Sequence, residues 1–199
     1  PLYEVFINAG NEAGYGITTD YNGYRQEGMS KMDMTVKGGV RCSTANAYLK
    51  PVLHRENLTV ITEALTKRVI LEGRKAVGVE SEIDGDTHQI KANKEVILSA
   101  GSVGSPHILQ MSGIGPMNVL REAGIDALHE LPGVGENLHD HLESVIQYET
   151  NLPVSLNRHM GPLGKFLIGA RWFLFKSGLG ATNHFESTGL DRKSTRLNS

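Results

Sequence analysis

Apolar positions along the chain switch between a helical and a strand-like period. Leu2, Val5, Phe6 and Ala9 recur at helical spacing and predict a helix that the stretch Gly10 to Gly16 breaks. A polar, glycine-rich stretch follows, with a turn signal at Asn22-Gly23, and a second helix is expected from Ser43 to about Val52. Leu58 to Thr62, Arg68 to Leu71 and Ala76 to Glu82 are β-branched runs separated by short turns such as Glu72-Gly73. Thr87 to Lys91, after Asp84-Gly85-Asp86, adds a fourth strand, so the region from about 57 to 91 reads as an antiparallel meander. Glu95 to Leu98 differs: its continuous run of Val96, Ile97 and Leu98 suits a strand buried on both faces.

That strand runs into Ala100-Gly101-Ser102. Ser105 suits an N-cap and Pro106 a first helical position, which predicts a helix over Pro106 to Met111 that Ser112-Gly113 ends. Pro116 opens another helix and Gly124 closes it. A strand, a glycine turn and a helix start present backbone amides to an anion. From Leu142 to Glu149 apolar and polar residues alternate, which predicts a strand. Leu163, Phe166, Leu167, Ala170, Phe173 and Leu174 form a helical stripe beside Lys165, Arg171 and Lys176. Such a stripe either faces a core, the commoner outcome, or makes peripheral contact with a membrane. The fold class is mixed α/β.

With 199 residues the chain is long enough for one domain or parts of two, and 39% hydrophobic and 21% charged residues are ordinary for a globular protein. A net charge of -2 without a Lys/Arg cluster argues against a nucleic-acid partner. The single cysteine, Cys42, leaves no internal disulfide framework, and a reducing compartment is the default: the cytoplasm, or the face of the inner membrane. No signal-peptide pattern and no run of about 20 apolar residues is seen. The helical pattern is already under way at Pro1, so the chain is expected to begin inside a longer protein. Asp191 to Ser199, DRKSTRLNS, switches abruptly to polar residues; it reads as a non-native tail translated from a sequencing adapter, or else as a disordered polar tail.

Taken alone, EVILSAGSVGSP allows either a dinucleotide backbone approaching closely or a plain strand-to-helix turn. Four ordered motifs extend it. GSVGSPHILQMSGIGP (Gly101 to Pro116) resembles the second signature of the glucose–methanol–choline (GMC) oxidoreductase family. GGVRCSTANAYL (Gly38 to Leu49) resembles the family's Arg-x-Ser-Thr segment, NLTVITEALTKRVILEGRKAVGVE (Asn57 to Glu80) its meander, and LPGVGENLHDHLE (Leu131 to Glu143) its Gly-x-Gly-x-Asn-Leu-x-Asp-His stretch. The resemblance covers nearly all of residues 1 to 190. PLYEVFINAG, NGYRQEG and ATNHFES are similar to the choline-oxidising branch rather than to the sugar or aryl-alcohol oxidases.

The resemblance implies the middle of an FAD-binding, Rossmann-like domain over residues 1–141 and the start of a substrate-binding domain over 142–190. It implies FAD as cofactor and the oxidation of choline to betaine aldehyde by hydride transfer to flavin, with another polyol or alcohol as the alternative substrate. A non-catalytic dinucleotide-binding module is the alternative of a different class. Thr66 falls at an adenine-contacting position where the contact is main-chain, Ala100, Gly101 and Ser102 lie near the cofactor, and Asn137, Asp140 and His141 organise the loop near flavin and substrate. Glu143, two positions after His141, is the carboxylate expected to meet the substrate's trimethylammonium group. A quaternary ammonium donates no hydrogen bond, so charge and aromatic faces must recognise it. The plain alternatives are an ordinary strand threonine at 66 and a solvated glutamate at 143.

The diphosphate fingerprint is expected before Pro1 and the catalytic histidine beyond Leu190, so no catalytic residue is assigned. Gly133-Val134-Gly135-Glu136-Asn137-Leu138 fails Gly-x-Gly-x-x-Gly at its last position. His139 and His141, two apart, project to opposite sides of an extended chain, which makes a metal site unlike this pattern. Ser102 lacks the Gly-x-Ser-x-Gly elbow of a serine hydrolase.

Overall fold

A computed structural model describes residues 2–191. The polar tail expected from Asp191 onward falls, apart from Asp191 itself, outside the described residues. The chain divides into two compact units, Pro1–Leu58 with Ile146–Ser199, and Thr59–Val145. The first unit holds α1 (Leu2–Glu12), β1 (Gly28–Lys31), β2 (Val36–Lys37), β3 (Val40–Arg41), α4 (Pro162–Phe175) and β9 (Ser187–Leu190). The second holds β4 (Ala64–Glu72), β5 (Lys75–Ile83), β6 (Asp86–Lys91), α2 (Gly101–Met111), β7 (Ile114–Gly115), α3 (Met117–Glu122) and β8 (His129–Glu130).

In the first unit β1 and β9 pair antiparallel, from Gly28 opposite Leu190 to Lys31 opposite Ser187. Buried Met29 lies against α1, where a Cβ on Gly10 would sit 2.5 Å from the Met29 thioether. Gly10 therefore permits close packing rather than breaking the helix, which continues to Glu12. The predicted stripe of Leu2, Val5 and Phe6 is exposed; Tyr3, Ile7 and Gly10 are the partly buried positions of α1.

The helix expected from Ser43 forms as a π turn, Ala45–Leu49, followed by a 3-10 turn, Lys50–Val52. Pro51 has no N–H to continue an α ladder, so the period changes there. Helix α4 is found where its stripe predicts, but it packs through another face. Gly164, Ile168 and Trp172, four apart, are partly buried. The Trp172 indole N–H donates to the Gly39 carbonyl at 2.7 Å. The helix ends at Lys176 in the left-handed region, with its ammonium 3.7 Å from the Trp172 ring centroid. Leu163, Phe166, Leu167, Phe173 and Leu174 stay exposed, so nothing in the described residues of this chain covers the stripe. No described helix is long and apolar enough to cross a membrane.

The second unit is built on the antiparallel sheet β4-β5-β6. Ile83 pairs with Asp86, and Asp84 and Gly85 both have positive φ, as a primed two-residue hairpin needs. The Arg68 guanidinium donates twice to the Glu80 carboxylate, at 3.1 and 2.8 Å, and Lys67 pairs with Glu82 at 2.6 Å. The hydroxyls of Thr66 and buried Ser81 meet at 3.3 Å.

Three strands form, not four. Leu58 to Thr62 makes no strand, Val60 and Ile61 are exposed, and Glu63 at φ 56° turns the chain just before β4. Glu95 to Leu98 likewise makes none: Val96 and Leu98 are partly buried, while Ile97 is 76% exposed. Neither run has a ladder partner among the described residues. The strand expected over Leu142 to Glu149 is also absent, and every residue of it is exposed, for the same reason.

Helix α2 begins five residues earlier than predicted. Gly101, at φ 87°, turns the chain into the first helical turn, and the Ser105 hydroxyl accepts from the Ala100 N–H at 2.9 Å. Ser105 thus ties the helix start from inside it, and Pro106 lies within the helix. At the other end the buried Ser112 hydroxyl accepts from the Val69 N–H at 2.8 Å and donates to the Ile108 carbonyl at 2.5 Å. This bond satisfies an N–H on the sheet's edge strand β4 and fixes α2 to it. Gly113, at φ 76°, ends the helix; β7 and β8 then pair parallel, with α3 connecting them and Leu120 buried at 1% exposure.

Candidate functional site

A cleft of about 570 Å³ lies between α2 and the loop that begins at Gly133. Ser102, Val103, Pro106 and Gln110 line one side, and Val134, Gly135, Glu136 and Leu138 the other. The first turn of α2 carries no side-chain cap, so its leading N–H groups are free of side-chain acceptors. With Gly101 turning into a small-residue start, this end of the cleft has the donors and the open backbone that a phosphate-bearing group uses.

The sequence profile described as GMC oxidoreductase matches residues 1–143. The chain belongs to the GMC oxidoreductase family. Members of this family bind FAD. This GMC chain is 55% identical, over 99% of its length, to an oxygen-dependent choline dehydrogenase of Photobacterium profundum, and 52% identical over the same share to one of Vibrio vulnificus. It spans 35% of the length of each. Among solved structures it is similar to a formate oxidase of Aspergillus oryzae RIB40, with a TM-score of 0.81 and 26% identity over 100% of this chain and 34% of that one. A pyridoxine 4-oxidase from Mesorbium loti matches 66% of this chain and 26% of its own, at 33% identity and a TM-score of 0.62.

All eight residues singled out from the sequence lie in the Thr59–Val145 unit. Ala100, Gly101 and Ser102 are consecutive at the start of α2, and Ser102 lines the cleft. Asn137, at φ 56°, belongs to the facing loop between the lining residues Glu136 and Leu138. The Asp140 carboxylate accepts from the N–H of His141 at 2.8 Å, which shapes the chain locally. His141 and Glu143 are exposed and do not line the cleft, and Glu143 has no hydrogen bond or ion pair among the described residues. Thr66 lies on β4, apart from the cleft lining, with its hydroxyl committed to Ser81.

The most perturbed acid of the unit lies on the sheet. Glu80 is held below the usual carboxylate range first by its hydrogen bond from Arg68; burial opposes this, and the nearby charges of Arg68 and Lys67 add smaller lowering effects. The same pairing raises Arg68. This is a structural ion pair with no part in the cleft.

Spacing alone does not single out Gln110. Its side-chain N–H donates to the Val134 carbonyl at 3.1 Å, joining the two walls of the cleft. The only signal for it in the sequence is a lone amide between Leu109 and Met111 in an otherwise apolar helix end.

Proposed function

We propose that this chain is part of an FAD-dependent alcohol dehydrogenase that oxidises choline to betaine aldehyde. The observation that carries the reading is the 55% identity to an oxygen-dependent choline dehydrogenase, extending over 99% of the chain. When bound, FAD supplies the acceptor for the α-hydride of the alcohol. On this reading residues 1–141 belong to the FAD-binding domain and 142–190 open the substrate-binding domain. Ala100, Gly101 and Ser102 admit the cofactor closely because they carry little side chain and leave first-turn amides available. Thr66 contributes through its main chain, leaving its hydroxyl for Ser81. Asn137, Asp140 and His141 hold the loop that leads to Glu143.

Glu143 would orient the trimethylammonium group. A unit charge pair about 4 Å apart is worth on the order of 1 kcal/mol in water and about 4 kcal/mol at an effective dielectric of 20. Residues 59 to 145 contain no Phe, Tyr or Trp. This unit therefore offers the cation a carboxylate and no π face, and any aromatic wall comes from outside it. The test uses the full-length parent protein. Flavin absorbance and choline-dependent dye reduction are both expected; flavin without choline turnover would move the reading to another alcohol, and no flavin would refute it.

A further inference from the structure

We propose that Gln110 is a positioning residue, a clasp that sets where the loop carrying Asn137 to Glu143 leaves α2. Its amide donates to the carbonyl of Val134, itself buried at the base of that loop. Two glycines make room for it. A Cβ on Gly135 would come 2.8 Å from the Gln110 amide nitrogen, and one on Gly115 would come 3.1 Å from its Cγ. Gly135 is further restricted by φ 84°. The side chain is thus seated closely against two glycine backbones, one of them at a φ that disfavours any side chain.

After Val134 the loop has little else to hold it. Through Val145 the remaining bonds among the described residues are local: the Glu136 N–H to the Gly133 carbonyl at 3.3 Å and the His141 N–H to Asp140 at 2.8 Å. Two residues further on, at the same end of the helix, Ser112 is bonded to the sheet. One short segment at the end of α2, from Gln110 to the C-cap Ser112, therefore anchors both the meander and the loop. Displacing the Gln110 contact lets the loop move as a unit while the sheet and α3 keep their bonds.

The effect on substrate rests on the choline reading above; the effect on the loop does not. The experiment compares Gln110→Leu and Gln110→Glu in the full-length, flavin-loaded enzyme. Gln110→Leu is expected to speed amide exchange about tenfold at the hydrogen-bonded amides of Val134 and Glu136 at the loop's base, while β4–β6 and α3 stay unchanged. Choline KM should rise about threefold to tenfold, with kcat within about twofold. Gln110→Glu should restore both values only where its carboxyl is protonated and can donate to Val134. Wild type at the same pH values accounts for His107 and Glu136, which also line the cleft. Unchanged loop exchange in Gln110→Leu, exchange raised equally in the sheet, or no recovery of Gln110→Glu at low pH would each overturn the clasp. Loss of choline turnover in the wild type would sink the substrate reading alone, since the exchange measurement needs no substrate.

Discussion

Within the second unit, the sheet β4–β6 and the extended runs around it have similar β-branched sequences and opposite outcomes. The sheet residues find their partners through two-residue hairpins a few positions away, with Glu72 opposite Lys75 and Ile83 opposite Asp86. Val60-Ile61 and Val96-Ile97-Leu98 are as apolar, yet they form no ladder. The difference is one of pairing and not of propensity: a strand exists only where a second backbone accepts its N–H and C=O groups. Regular structure therefore marks the part of this unit that is self-sufficient, and extended apolar chain marks the part that is not.

The sharpest test of that contrast is the packed side. Leu120→Ala removes a side chain at 1% exposure and is expected to cost about 2–5 kcal/mol, read as a lower denaturation midpoint. A loss under about 1 kcal/mol would mean the unit has no consolidated core. On the open side, Glu143→Gln should leave the midpoint unmoved and raise choline KM at least about tenfold in the full-length enzyme, with kcat less affected. An unchanged KM removes Glu143 from substrate binding. Ile97→Ala, at 76% exposure, should shift the stability of this chain by no more than about 0.5 kcal/mol. A loss like that of Leu120→Ala would show the run to be covered after all.

The smallest effect belongs to the sheet's ion pair. Because Glu80 titrates below its ordinary range when folded, its contribution is present above the unfolded glutamate pKa and fades as pH falls through the lowered folded value. Arg68 stays charged throughout. Thermal midpoints between about pH 6 and pH 3 should fall slightly less for Glu80→Gln than for wild type, and identical slopes would dismiss the pair as a contributor.

The sequence allows the meander to be read because its turns announce themselves: Asp84-Gly85 and Glu72-Gly73 stand between β-branched runs. The helices α1 and α4 are legible as helices but not in orientation. Each has an apolar stripe and a second face with small residues, Gly10 in one and Gly164 in the other, and packing proceeds through the face that allows close approach. The start of α2 is misread because Ser105 and Pro106 are good initiators, while Gly101 makes an earlier start possible by turning at positive φ. Of the site, the small-residue turn and the acidic loop are visible as motifs. The amide that joins them is not, since a single hydrogen bond to a main-chain carbonyl leaves no sequence pattern.

The indole of Trp172 has a use of its own. It is the chain's sole tryptophan, it bonds a carbonyl 133 positions away, and a lysine ammonium stands over its ring. Every Phe, Tyr and Trp of the chain falls outside residues 59 to 145. Intrinsic fluorescence and near-ultraviolet dichroism therefore report on the first unit alone, and amide-region dichroism on both. Melting followed by the two signals separates the units without a label.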